Sequence, residues 1–217
     1  MDLIRQFVDL FLHIDVHLKT VIDQFGAWTY LILFTVVFCE TGLVVTPFLP
    51  GDSLLFAAGS FGALAALDVR IVIAVLCAAA ILGDNCNYWI GRFVGPKVFT
   101  RDDVWYLNKK HLERTRRFFE RHGGKAVIIA RFAPILRTFS PFVAGIGHMH
   151  YLRFLTFSVV GTLIWVNTFV LGGFYFGGLP VVKENFTMVI LAIIVISLIP
   201  AAVGAIRAKL DARAPAV

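Results

Sequence analysis

CETGLVVTPFLPGDSLLF, Cys39 to Phe56, is an apolar run that carries Glu40 and Asp52 and is interrupted by Gly42, Pro47, Pro50 and Gly51. Proline and glycine oppose helix continuation, so an otherwise greasy stretch holds two carboxylates beside a broken backbone. The rest of the chain says what medium surrounds it. Of 217 residues, 59% are hydrophobic and 16% charged, with a mean hydropathy of +0.81. A soluble domain is about half apolar and about a quarter charged. The composition is therefore that of an all-α integral membrane protein, and no nucleic-acid partner is expected.

Outward from the break, the apolar arms are short. Ala27–Cys39 falls below the roughly 20 residues a helix needs to cross a bilayer, and the chain resumes as Ser53–Leu67. Two half-length arms around a polar elbow predict a re-entrant hairpin over 27–67. Before it, apolar residues from Ile4 to Phe25 recur at helical spacing, which predicts an interfacial amphipathic helix over 1–25. Asp2 and Asp9 flank Arg5, so this start lacks the plan of a cleavable signal and is expected to be retained. After the hairpin, 71–91 is long enough to span. Arg92–Lys125 is rich in lysine and arginine, with a basic amphipathic helix expected over 100–123. Short loops of this kind face the cytoplasm, so the 92–125 loop and the C-terminus with Arg207, Lys209 and Arg213 are placed there. The segments 154–176 and 186–206 complete the spans.

A second broken segment, AVIIARFAPILRTFSPFVAGIG, occupies 126–147, with Pro134 and Pro141 at its elbow and Arg131 and Arg137 where the first has acids. TPFLPG (46–51) also lies on SPFVAG (140–145), with proline, phenylalanine and glycine identical. One span between the two segments makes them inverted re-entrant hairpins entering from opposite faces and meeting in the bilayer, the frame of secondary transporters. Ionised groups at that depth cost a few kcal/mol each, so Glu40 and Asp52 are expected to face Arg131 and Arg137 in a polar chamber. A purely structural network would also be neutral, but apolar packing would join the elbows with less desolvation. Guanidiniums match phosphate oxygens, and a carboxylate leaving water takes up a proton more readily. Together they indicate a transporter of a phosphate-bearing or otherwise anionic amphiphile, coupled to protons, with no cofactor or metal.

The alternatives are a proton-dependent ion or drug antiporter and a non-transporting envelope scaffold. A lipid phosphatase needs a nucleophile and a proton donor, typically histidine; neither elbow contains histidine, so no enzymatic role is expected. Asp84, with Asn85 and Asn87, either lines the chamber or sits at a helix end. Cys39, Cys77 and Cys86 read as buried thiols without metal spacing, and His13 and His17 lack a third ligand. Gly59, Gly62, Gly83, Gly91, Gly172, Gly173, Gly177 and Gly178 are expected to permit close helix contact. Homo-oligomerisation is left open.

FCETG with TPFLPGDSLLF, then GDNCNYWIGRFVG, then FFERHGGKAVIIARFAPILRTFSPFVAGIGHM resemble the DedA family of membrane proteins, in the VTT superfamily, close to its founding bacterial branch. The resemblance covers nearly the whole chain. It implies a bacterial inner-membrane protein with two facing re-entrant hairpins, in a superfamily that includes lipid scramblases. It further implies a link to translocation of undecaprenyl phosphate or phosphatidylethanolamine, envelope integrity and proton-motive force. The family's functional acids match Glu40 and Asp52, and its functional arginines match Arg131 and Arg137.

Overall fold

The structure, a computed structural model, describes residues 14–43, 51–99 and 123–211. These form helices α1 (Ile14–Phe25), α2 (Thr29–Gly42), α3 (Gly51–Ala63), α4 (Val69–Phe99), α5 (Lys125–Ala130), α6 (Pro134–Ile146), α7 (Tyr151–Phe176), α8 (Pro180–Glu184) and α9 (Phe186–Asp211). No strand occurs among the described residues. Pro47 and Pro50 of the first elbow, His13, and nearly all of the expected basic helix at 100–123 lie outside those residues.

Of the expected surface helix over 1–25, the described residues from 14 on are helical and form α1. α1 joins α2 through one 3-10 turn at Gly26–Trp28. Together Val16–Gly42 make 27 residues, long and apolar enough to cross a membrane. Gly26 in the left-handed region, φ +51°, breaks the regular helix at the junction. Val69–Val94 and Tyr151–Phe176 are also long and apolar enough to span, in keeping with 71–91 and 154–176. α9 has 26 residues, which covers 186–206. Asp68 opens α4 by accepting the Arg70 N–H on its carboxylate at 2.8 Å, a cap of the kind that satisfies a free helix-end donor.

Both breaks in the sequence interrupt helices, though not as the prolines suggested. α2 ends at Leu43, whose backbone is extended, and α3 restarts at Gly51. In the second segment the break falls at 131–133. Pro134 occupies the first turn of α6, where its missing N–H costs nothing, whereas Pro141 lies inside α6. There it removes the N–H that the Arg137 carbonyl would have accepted. Of the six-residue match, only Gly51 on the first side lies within the described residues; it begins α3, whereas Gly145 stands near the end of α6.

Packing exchanges partners between the two halves. α3 lies along α7, α6 along α4, α4 and α7 touch each other, and α2 also packs on α4. Each exchanged contact is a glycine crossing. A Cβ on Gly59 would strike the Val170 carbonyl and one on Gly173 the Phe56 carbonyl, joining α3 to α7. Likewise Gly91 meets Phe142 and Gly145 meets Tyr88, joining α4 to α6. Gly62, Gly83 and Gly177 are also closely approached, but Gly172 and Gly178 face open space. A larger apolar core, including Leu33, Leu55, Leu76 and Val166, lies among α2, α3, α4 and α7. Cys77 belongs to it, while Cys86 is exposed and not the buried thiol expected. A smaller cluster of Tyr88, Val127, Ala144 and Phe154 ties α4 to α5, α6 and α7.

Candidate functional site

Glu40 follows from α2 being apolar on all sides except near its end. Leu33, Val37 and Glu40 occupy one buried face at spacings of four and three residues. α3, starting immediately beyond the break, carries Asp52 in its first turn. Gly51 is what allows the two to meet, because a Cβ there would fall on the Glu40 carboxylate. That carboxylate thus rests over the N-terminus of a helix, whose free amides and dipole favour negative charge.

Arg137 of α6 reaches both acids. Its Nη1 donates to Asp52 Oδ1 at 2.6 Å, and its Nη2 pairs with Glu40 Oε1. Asp52 is further held by the Trp165 indole N–H at 2.8 Å and by the Ser197 hydroxyl of α9 at 2.6 Å. Arg131 does not join them. It pairs with Asp84 of α4, which also accepts a hydrogen bond from Ser158 of α7 at 2.6 Å. The expected grouping of Arg131 with Glu40 and Asp52 is corrected accordingly. The turn at 131–133 leaves Arg131 beside α5, which packs on α7, while Arg137 rides on α6 against α4. Gly161 gives Arg131 its room on α7, with a Cβ there only 3.3 Å from the guanidinium Nε.

The ionic cluster therefore contains Glu40, Asp52, Asp84, Arg131 and Arg137, at 0%, 8%, 1%, 3% and 4% exposure. Three carboxylates face two guanidiniums, so with every group ionised the cluster is one proton short of neutral. Its hydrogen bonding is also incomplete. Among the described residues, Glu40 Oε2, Asp84 Oδ1, Asn87 Oδ1, Arg131 Nη1, Arg137 Nε and Ser140 Oγ are buried with no protein partner. Most buried polar groups are satisfied, so several orphans gathered in one cluster set it apart from an ordinary apolar core. Asn87 braces the assembly by donating to the carbonyls of Thr41 at 3.1 Å and Thr138 at 2.6 Å, the neighbours of Glu40 and Arg137.

Of the residues singled out in the sequence, Glu40, Asp52 and Arg137 meet directly, and Asp84 moves from accessory to full member. Gly51 shapes the Glu40 seat, Pro134 starts the arginine helix, and Pro141 lies one turn beyond Arg137. Ser158, Trp165 and Ser197 were not foreseen. A signal for the first two exists: Ser158, Gly161, Thr162 and Trp165 form one buried stripe on α7, at helical spacing in an otherwise apolar span. His148 and His150 are exposed, away from the cluster.

Residues 49–175 match the model of the VTT domain, a segment that takes in Asp52, Asp84, Arg131, Arg137 and Trp165. The chain is 49% identical over 211 residues to Protein DedA of Escherichia coli K12, covering 96% of each. It is 43% identical to the uncharacterized membrane protein Rv0364 of Mycobacterium tuberculosis H37Rv, over 81% of this chain and 78% of that one. Identity to the inner membrane protein YghB of E. coli K12 is 36%, over 79% of this chain and 80% of the relative. No solved structure matches the chain.

Proposed function

This chain belongs to the DedA family of VTT-domain membrane proteins, and on that premise we propose that its buried charge cluster passes the phosphate-bearing headgroup of a lipid across the bilayer. The observation that carries the reading is the pair of buried guanidiniums with unpartnered N–H groups, Arg131 Nη1 and Arg137 Nε. A phosphate presents several acceptor oxygens to such donors. A fully apolar solute would leave them unsatisfied, at a cost of about 1–3 kcal/mol or more each.

Protons enter through the surplus carboxylate. With three acids against two arginines, one bound proton makes the cluster neutral, and Glu40 Oε2 and Asp84 Oδ1 are the oxygens with no other partner. Asp52 already accepts three donors, from Arg137, Trp165 and Ser197. A phosphate that pulls Arg137 towards itself leaves Glu40 uncompensated, and proton uptake there balances the charge. Release of the headgroup reverses both steps. The exchange of α3 and α6 between the long helices α7 and α4 supports reading 27–67 and 126–147 as two inverted re-entrant hairpins. The name of YghB supports an inner-membrane location, and the lysine and arginine content of 92–125 supports a cytoplasmic side for that loop.

Purified protein in liposomes is expected to accelerate leaflet exchange of labelled undecaprenyl phosphate or phosphatidylethanolamine. No acceleration with any phosphate-bearing lipid would remove the proposal. Release of inorganic phosphate would instead indicate a hydrolase, and cation flux without lipid exchange an antiporter. A scaffold shows none of the three and copurifies with a partner.

A further inference from the structure

Among the described residues Trp165 is the largest completely buried side chain, and it belongs to the main apolar core while also facing the ionic cluster. Its indole N–H donates to Asp52, the same oxygen that Arg137 holds. The Arg137 guanidinium carbon lies 4.6 Å from the ring centroid and that of Arg131 lies 5.8 Å away. Both fall within the range of about 6 Å at which a cation is attracted to an aromatic ring. Two cations drawn to one ring are no further apart than those distances laid end to end. The indole ring thus lies within that range of both guanidiniums, which otherwise pair with different acids on different helices.

We propose that Trp165 is the positioning residue of the headgroup site. Its N–H fixes Asp52, and its ring holds the Arg131 and Arg137 guanidiniums so that their unpartnered N–H groups serve one phosphate. The inference rests on the phosphate reading above but makes a separate claim about the protein alone. A tryptophan that merely filled volume would be replaceable by another large apolar side chain, with effects on stability and none on arginine placement. Phenylalanine keeps a ring and loses the N–H; leucine loses both.

The test has two arms. In the first, Trp28→Phe, Trp89→Phe and Trp105→Phe leave Trp165 as the sole tryptophan, and its fluorescence is recorded without ligand. Arg137→Lys and Arg131→Lys should each shift the emission, the former more because its guanidinium is nearer. An Arg131→Lys variant with unchanged emission overturns the joint role. In the second, binding of dihexanoyl phosphatidic acid to detergent-purified full chain should weaken about tenfold in Trp165→Phe, for a lost charged hydrogen bond. Trp165→Leu should weaken it by about tenfold more, for the lost ring. Wild-type affinity in both folded variants overturns the proposal, and if Trp165→Leu does not fold, Trp165→Phe decides. Should the unmodified protein not bind this probe, the phosphate reading fails while the emission arm still judges Trp165.

Discussion

Arg131 and Asp84 depend on each other because neither reaches water. Removing one partner of such a pair leaves a buried charge, at about 3–5 kcal/mol, whereas removing both is far milder. Arg131→Gln and Asp84→Asn should therefore each lower thermal stability in detergent strongly, and the double variant should recover much of the loss. Simple addition of the two effects would contradict the pairing. Gly51→Ala makes a different prediction. The added methyl displaces the Glu40 carboxylate from its seat, so lipid exchange should fall while the protein still elutes as the wild type. Gly172→Ala, in open space, should leave exchange unchanged. Glu40→Gln and Asp52→Asn should flatten the dependence of exchange on pH, because each alters the charge that a proton must balance. Normal pH profiles in both would remove proton coupling. At this scale the sequence was informative about acids and arginines, since charges in an apolar run stand out. It was silent on partners: the turn between Arg131 and Arg137 sends them to different helices, and spacing along the chain carries no trace of that.

Helices here are fixed by where backbone meets backbone. Gly59 with Gly173 and Gly91 with Gly145 bring α3 onto α7 and α6 onto α4 without an intervening side chain. In a bilayer, where apolar burial does not drive helices together, such small-residue contacts are what hold them. Gly173→Ala and Gly91→Ala should each cost about 1–3 kcal/mol from overpacking, read as a lowered melting temperature. Because they lie in different crossings, their effects should add; strong non-additivity would mean that the two crossings are not separate. Pro141, inside α6, leaves the Arg137 carbonyl without its helical donor. The helix breaks were legible from proline and glycine, but not which proline starts a helix and which sits within one. That distinction depends on whether the missing N–H falls in the first turn. The stripe of Ser158, Gly161, Thr162 and Trp165 was overlooked because tryptophan in an apolar span reads equally as a lipid-facing or core residue. Only its small and polar companions at helical spacing separate the cases.

Across the whole molecule, the membrane character and the long helices followed from composition and segment length. Of the likeness between TPFLPG and SPFVAG, the shared glycine falls at the start of α3 in one case and near the end of α6 in the other. What relates the halves is the exchange of α3 and α6 between α7 and α4, a feature of three-dimensional packing. That exchange brings α2, α3, α4, α6, α7 and α9 to one buried cluster, so the site belongs to the assembled fold and to no single segment. The most direct test is a cryo-electron microscopy structure of the full chain in nanodiscs containing phosphatidylethanolamine or a polyprenyl phosphate. The account predicts phosphate density within hydrogen-bond reach of Arg131 and Arg137, beside Trp165. Lipid phosphates found only at the protein's outer surface, with both arginines still closed onto Asp84, Glu40 and Asp52, would contradict it.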